Sequence, residues 1–158
     1  MCNTAIVIFA DSAIECSKHR KLLRNEEANL NLFKNLNRNT LRIARDASVP
    51  YFVFDEEVQQ GRRYGERIAN AIRTVYNQGF EKVVVIRSDC PGITVSLLEM
   101  AMVILQEKPM VVGPAQSGGI YLVGISRSIF NERTFGGLHW ESNLLRRDLV
   151  NYTSVMSI

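Results

Sequence analysis

An apolar run that ends in an acidic turn stands near the middle of the chain, and its residue types could carry chemistry. Lys82 to Ile86 read KVVVI, and the chain continues as RSDCPG with a single carboxylate, Asp89. A carboxylate at the end of a buried strand can hold a divalent metal ion at the mouth of a nucleotide site, because magnesium and manganese prefer oxygen ligands. An aspartate beside proline and glycine can instead only shape the turn into the next helix. The residue types leave both interpretations open.

The densest basic stretch of the chain lies between residues 18 and 24, where Lys18, Arg20, Lys21 and Arg24 accompany His19. An arginine offers a planar fork to a diphosphate, and a lysine offers a point charge. A solvated loop rich in lysine and arginine would have the same composition. The stretch therefore predicts either a phosphate clamp or an ordinary exposed loop.

Two further segments have residue types that suit a binding site. GPAQSGG, at residues 113–119, places Ser117 before the paired glycines Gly118 and Gly119. Paired glycines let backbone approach a ligand closely or adopt positive φ, although a tight connection between strands has the same need. Trp140, the only tryptophan, can stack on a sugar or base or can pack in the core.

The elements that must position these residues alternate between short apolar runs and longer amphipathic segments. A polar loop is expected over residues 11–21, and Gly79 and Thr94 are expected to end one helix and cap the next. Strands are predicted over residues 5–10, 51–55, 82–86, 109–113 and 119–125, and helices over residues 30–44, 68–76 and 97–105.

This alternation predicts an α/β fold, a three-layer α/β/α sandwich with a mostly parallel sheet. The last two strands lack a connecting helix, so one of them is expected to be reversed. Ligands on open α/β sheets bind outside the carboxyl ends of the strands. We therefore expect the polar clusters at residues 11–20, 55–67, 88–92 and 116–119 to converge at one edge of the sheet.

Length and composition limit the class of protein. The chain has 158 residues, 46% of them hydrophobic and 22% charged, with a net charge of +3, which is typical of a single globular domain spanning residues 1–158. The scattered basic residues predict no nucleic-acid partner. Three widely spaced cysteines and two histidines predict neither a zinc site nor a disulfide framework. The apolar run near the N-terminus stops at Asp11, too early for a signal or membrane segment, so we expect a cytoplasmic protein with no membrane span.

Several motifs together resemble a known family. They are similar to the GT-A-like proteins of unknown function called selenodomain-associated glycosyltransferases, relatives of the guanylyltransferases that act on phospholactate and molybdopterin. The most specific pair is SDCPG followed by GP-x-x-x-GG-x-YL-x-G. The matching segments are GERI at 65–68, VVVIRSDCPGI at 83–93, VVGPAQSGGIYLVGI at 111–125 and HWES at 139–142, with FA at 9–10.

The resemblance implies a fold of the GT-A nucleotide-diphospho-sugar transferase type and a nucleotide-sugar or nucleoside triphosphate as ligand. It implies Asp89 as the catalytic and metal-binding residue, with magnesium or manganese as the ion that neutralises the diphosphate leaving group. By the same resemblance, the nucleotide or its phosphates would contact Phe9, Ala10, Lys18, Arg20, Gly65 and Arg67. The rest of the substrate would contact Ser117, Gly118, Gly119, His139 and Trp140.

The chain also departs from the family pattern. The PxPG-x-x-KTRL loop usual after the first strand reads DSAIECSKHRKL here, so only Lys18 and Arg20 correspond. Ser117 stands where an acidic residue is usual, which predicts weak metal binding in the absence of nucleotide. Two functions therefore remain open: a metal-dependent glycosyltransferase- or nucleotidyltransferase-like protein, and a degenerate, non-catalytic binding or partner module of the same fold. A receiver-type or flavodoxin-like domain is less favoured, because only Asp11 is available for the acidic pair after strand one.

Overall fold

The structure is a computed structural model that describes residues 3–115 and 119–156. Five strands form a single sheet in the order β2-β1-β3-β5-β4. β1 pairs in parallel with both β2 and β3, whereas β5 runs antiparallel to both of its neighbours. The bounds are Thr4–Phe9 for β1, Tyr51–Phe54 for β2, Lys82–Ile86 for β3, Met110–Pro114 for β4 and Ile120–Ser126 for β5.

The reversal of one of the last two strands is confirmed, and the reversed strand is β5. Ala115 donates its N–H to the carbonyl of Gly119 at 2.9 Å, so the chain turns back immediately after β4. A connection this short can join only antiparallel neighbours. The start of β5 consequently lies at the same edge of the sheet as the carboxyl ends of β1 and β3.

Six helices accompany the strands in the described part of the chain. They are α1 Ala13–His19, α2 Glu26–Asp46, α3 Tyr64–Tyr76, α4 Val95–Glu107, α5 Glu132–Gly136 and α6 Leu145–Met156. None of the helices over residues 3–115 and 119–156 is long and apolar enough to cross a membrane.

The helices form two layers, one on each face of the sheet. Ile6 and Ile8 of β1 pack with α2 and α4 on one face, and Ala5, Val7 and Phe9 pack with α3, α5 and α6 on the other. β1 is buried along its whole length, which explains why its sequence is continuously apolar rather than alternating. The predicted three-layer α/β/α sandwich is therefore confirmed.

The first connection differs from its prediction. The expected loop over residues 11–21 contains α1, because Ser12 caps this helix by accepting the N–H of Glu15 at 3.3 Å. Glu15 in turn pairs with Lys18 at 3.2 Å and with His19 at 3.4 Å, one turn further along. Capping and these pairs stabilise a helix in a segment whose polar composition suggested a loop.

The other predicted helix ends agree with the structure. Thr94 accepts the N–H of Leu97 at 3.2 Å and so caps α4, and Gly79 follows α3 with a φ of 104°. No helix was predicted after strand five, yet α5 and α6 lie there. Helix α5 is short and α6 is amphipathic. Both pack on the face of the sheet that α3 covers, where Phe135 and Leu149 are completely buried.

Candidate functional site

A cleft of about 650 Å³ opens at the carboxyl edge of the sheet. Asp89 and Arg20 line one wall, and Gly119 at the start of β5 lines another. The structure thus brings the SDCPG turn and one of the paired glycines to the same cleft, as the sequence predicted. Ser117 and Gly118, the other predicted substrate contacts in this hairpin, lie outside the described residues.

Two arginines converge on Asp89 within the cleft. Arg20 donates through Nη1 to Asp89 Oδ2 at 2.6 Å. Arg87 approaches the same carboxylate from the strand side, with Nε 3.2 Å from Oδ1 and Nη2 3.3 Å from Oδ2. The side chains of Arg20 and Arg87 are 47% and 45% exposed, whereas that of Asp89 is 21% exposed. The cleft therefore presents two half-open guanidinium groups around one shared carboxylate.

Helix α2 fixes the backbone that carries Arg20. Asn29, which is buried, accepts the N–H groups of Leu22 and Leu23 and donates to the carbonyls of Ser17 and Arg20 at 2.8–3.3 Å. These four hydrogen bonds use both the oxygen and the nitrogen of its amide, so Asn29 holds the chain between α1 and α2 in one conformation.

The same helix also approaches the segment that carries Asp89. Thr40 donates to the carbonyl of Leu36 at 3.0 Å and lies 3.5 Å from that of Ser88. The ring of Phe33 lies under Arg20, with 5.9 Å between Cζ and the ring centroid. Helix α2 therefore contacts both the arginine and the residue that precedes the aspartate.

Aromatic rings line the cleft next to Arg87. Tyr64 packs edge-on against Phe9 at 5.3 Å and lies 5.9 Å from the ring of Trp140. The guanidinium groups of Arg87 and Arg67 each lie 5.9 Å from the Tyr64 ring. Burial raises the pKa of the Tyr64 phenol, and the charge of Arg87 opposes that shift. Trp140 donates its indole N–H to the carbonyl of Phe135 at 2.9 Å, which fixes the ring in the wall.

The charge of Arg87 is maintained by its surroundings. Burial disfavours the charged guanidinium, but Tyr64, Asp89 and Glu141 outweigh this effect and raise the pKa of Arg87 above its ordinary value. Glu141 lines the cleft next to Trp140 and has a φ of 61°, a left-handed conformation that is uncommon outside glycine. This turn of the chain brings a second carboxylate to the cleft.

His139 lies beside this turn and contacts Asp148 rather than the cleft. Its backbone N–H and its ring Nδ1 both lie 2.8 Å from Asp148 Oδ2. The hydrogen bond from the His139 N–H is the main reason that the pKa of Asp148 is lowered. The structure therefore gives His139 a contact that anchors the turn to the start of α6. Its predicted substrate contact stays a prediction.

The remaining predicted residues lie in varied surroundings. Lys18 points from α1 and pairs with Glu15 at the surface, outside the lining of the cleft. Arg67 stacks on Tyr64 and donates to the carbonyl of Arg62 at 3.0 Å. Phe9 is 2% exposed. Ala10, which directly follows β1, is half-buried and donates its N–H to the carbonyl of Phe54 at 3.3 Å.

Gly65 is buried where α3 meets α5. A Cβ at this position would lie 2.0 Å from the carbonyl oxygen of Gly136 and 2.5 Å from Trp140 Cδ1. The glycine is thus required for close packing of two helices, and this packing also supports the Trp140 wall. Its predicted phosphate contact remains untested.

The described residues do not fit a divalent metal ion at Asp89. A metal site needs several oxygen donors, and here one carboxylate is surrounded by two positive charges. Over residues 3–115 and 119–156 no three His, Cys, Asp or Glu side chains are grouped so as to hold a metal ion. Asp11 and Glu56 do interact, since burial and then Glu56 raise the pKa of Asp11. Glu56, however, already accepts both the N–H and the hydroxyl of Ser12.

Sequence reasoning missed several residues that line or brace the cleft. Arg87 stands two positions before Asp89 at the end of β3, and this position alone could have suggested it. Tyr64 directly precedes the GERI match and could have been found in the same way. Arg146 donates to the carbonyls of Ala115 and Gly119 at 2.8 and 3.2 Å, which ties the hairpin to α6. This contact joins residues far apart in sequence and had no local signal.

One protein-family model matches most of the chain. Residues 22–142 match the DUF2064 family, described as an uncharacterized protein conserved in bacteria. No sequence among the curated proteins matches at a significant level.

Two crystal structures are similar in fold. The first, from Desulfovibrio desulfuricans G20, is called a "putative nucleotide-diphospho-sugar transferase". It has a TM-score of 0.79 at 21% identity, over 96% of this chain and 75% of that one. The second, from Mycobacterium sp. strain JC1, is a homolog of a Mycobacterium tuberculosis protein, with a TM-score of 0.53 at 16% identity over 92% of this chain and 80% of that one. These similarities establish a nucleotide-diphospho-sugar transferase fold.

Proposed function

The chain belongs to the DUF2064 family, and we propose that it binds a nucleotide-sugar or nucleoside triphosphate in the cleft at the carboxyl edge of its sheet. The proposed activity is transfer of a glycosyl or nucleotidyl group with a phosphate-bearing leaving group. The observation that carries this proposal is the convergence of Arg20 and Arg87 beside an aromatic wall. The transferase fold supports it independently.

The two sides of the cleft suit the two parts of such a ligand. Planar guanidinium groups match phosphate oxygens in bidentate geometry, so the phosphates would lie against Arg20 and Arg87. The ring of Trp140, which lines the cleft beside Tyr64, provides an apolar surface on which a base or sugar ring can stack. A volume of about 650 Å³ is ample for a nucleotide-sized ligand.

The chemistry that these residues can supply is electrostatic. In transfer from a diphosphate, negative charge grows on the leaving group, and donors that are already in place stabilise it. Arg20 is fixed through Asn29, and Arg87 lies over the Tyr64 ring, so neither needs to be ordered by the ligand. The proposed function thus assigns binding and charge stabilisation to the arginines and orientation of the ligand to the aromatic wall.

The proposal is tested by a thermal-shift screen of nucleoside diphosphates, triphosphates and diphospho-sugars, followed by calorimetric titration of the best ligand. We expect Arg87→Gln to weaken binding by about tenfold or more, because a charge-assisted hydrogen-bond pair is lost. Arg73→Gln is the matched control. Arg73 lies in the last turn of α3, is as exposed as Arg87, and pairs with Glu132 of α5. Equal affinity in the wild type and both variants would contradict the proposal. A screen in which no nucleotide binds would contradict it as well.

The pairing of Asp89 favours a second candidate function. A carboxylate held by two arginines is not free to act as a base or nucleophile, and this suits a module that binds the ligand without turning it over. The role of Asp89 as catalytic residue accordingly stays a prediction. Hydrolysis or transfer assays on the ligand that the screen selects separate the two functions, since only the transferase releases a nucleotide or pyrophosphate.

A further inference from the structure

The contacts of Asp89 are arranged like those of a bound anion. Its Oδ2 atom is shared by Arg20, at 2.6 Å, and Arg87, at 3.3 Å, while Oδ1 faces the Nε of Arg87. A phosphate oxygen presents the same charge and the same acceptor geometry to a guanidinium group. The carboxylate therefore occupies the position that a phosphate of the ligand would take.

We infer that Arg20 and Arg87 form the anion site of the cleft, and that Asp89 is their internal counter-ion, displaced when a phosphate-bearing ligand binds. Binding of the phosphates consequently requires no divalent metal ion. This inference rests on the proposed function and specifies how its site takes the ligand. In this role Asp89 competes with the phosphate for the arginines, whereas a metal ligand would help to bind the phosphate.

The balance of charge supports this assignment. Arg20 and Arg87 are balanced by Asp89 and Glu141 in the lining of the cleft. When Asp89 moves away, the two arginines and Glu141 leave a net positive charge, which attracts a phosphate. Tyr64 and Asp89, and after them Glu141, raise the pKa of Arg87, and Glu141 still lines the cleft when Asp89 leaves. A diphosphate carries more negative charge than the aspartate that it replaces, and it can reach both guanidinium groups at once.

The geometry also allows the exchange. Both arginine side chains keep almost half of their surface exposed to solvent, and an ion pair in such a position is readily exchanged for another anion. Arg20 would stay in place without Asp89, because Asn29 holds its backbone and Phe33 lies under its guanidinium. The site thus remains formed when its counter-ion moves.

The experiment is a calorimetric titration of inorganic pyrophosphate into the full chain at constant ionic strength, once in EDTA and once with magnesium. We expect the wild type to bind in EDTA. We expect Asp89→Asn to bind about three- to tenfold more tightly, because its neutral amide competes less well for the arginines. Asp46→Asn is the matched control: it changes the net charge equally at the far end of α2, where Asp46 pairs with Arg45, and it should leave the affinity unchanged.

Several outcomes would overturn the inference. If pyrophosphate binds only with magnesium and Asp89→Asn abolishes binding, Asp89 is a metal ligand. If Asp89→Asn binds no more tightly than the wild type, the carboxylate is not displaced. If a nucleotide binds but pyrophosphate does not, the two arginines do not form an anion site by themselves, so the inference fails while nucleotide binding in the cleft is retained. Failure of both ligands rejects both proposals. Circular dichroism of each variant checks its folding, and the wild-type titration in EDTA needs no variant.

Discussion

At the scale of single residues, the contacts of Asp89 decide how the cleft can work. Each ion pair between a half-exposed arginine and a carboxylate contributes about 1 kcal/mol or less to stability. A diphosphate that makes charge-assisted hydrogen bonds to both arginines can therefore offset the loss of Asp89. A buried, fully enclosed pair would have resisted such an exchange. The partial exposure of Arg20 and Arg87 is thus as important to the proposal as their distances.

Gly65 provides the first test at this scale, because packing and ligand binding predict different results for it. A Cβ at Gly65 would meet backbone at the Gly136 carbonyl, which cannot move aside as a flexible side chain would. We expect Gly65→Ala to lower the free energy of unfolding by about 2–3 kcal/mol, measured by urea denaturation.

Gly92 is the matched control for that substitution. No atom outside its chain neighbours lies within 4 Å of a Cβ built there, so Gly92→Ala should change stability by no more than about 0.5 kcal/mol. If Gly65→Ala kept full stability but lost affinity for the nucleotide, the packing role would be contradicted and the predicted phosphate contact supported.

The individual residues also show where sequence reasoning succeeds. Asp89 and Gly119 were placed at one edge because each adjoins a strand with a clear apolar pattern. Arg20 was a candidate phosphate ligand from its basic stretch and from the family resemblance, and this role stays a prediction. Its pairing with a residue 69 positions away in the chain could not be predicted. Such a contact depends on how helices pack together, and local sequence patterns do not show this.

At the scale of elements, α2 is the part that organises the phosphate side of the cleft. Its buried Asn29 fixes the backbone of Arg20, its Phe33 lies under the guanidinium, and its Thr40 approaches the carbonyl of Ser88. The helix is rich in asparagine, which is a poor helix former. One of those asparagines is explained by its hydrogen bonds to the preceding segment rather than by the helix itself.

We expect Asn29→Ala to lower the free energy of unfolding by about 1–3 kcal/mol, because it leaves backbone groups without partners. It should also weaken pyrophosphate binding by about fivefold, the effect of about 1 kcal/mol, through loss of order at Arg20. Asn35→Ala, on the exposed side of the same helix, should change neither quantity.

A double-mutant cycle identifies the route of this effect. If Asn29 acts through Arg20, the double variant Asn29→Ala/Arg20→Gln should bind no more weakly than Arg20→Gln alone. Fully additive losses would show that Asn29 influences affinity by another path, such as a general loosening of the fold.

The elements were predicted unevenly. The five strands were found from their short apolar runs, and helices α2, α3 and α4 from apolar residues at helical spacing. Helix α1 was predicted as a loop, because its stability comes from the Ser12 cap and from the pairs of Glu15 rather than from an apolar face. Helices α5 and α6 were not predicted, since they are held by tertiary contacts such as those of Phe135 and Leu149.

At the scale of the whole molecule, the sheet order explains why the cleft lies where it does. β1 and β3 are parallel neighbours, and the antiparallel β5 next to β3 begins at the same edge where they end. The segment that follows α5 returns to this edge and supplies Trp140 and Glu141. The order of the strands along the chain predicted a parallel sheet with one reversed strand. Which residues would meet at its edge depended on the sheet order and on that returning segment, and neither can be inferred from local patterns.

We propose that the cleft binds the phosphates of its ligand through Arg20 and Arg87 and that Asp89 is displaced. A crystal structure of the full chain with inorganic pyrophosphate and magnesium tests it most directly, since it allows either mode of binding to occur. We predict phosphate oxygens within about 3 Å of both guanidinium groups, with the Asp89 carboxylate moved away from them. A magnesium ion bridging Asp89 to the pyrophosphate, with the arginines turned aside, would contradict the account.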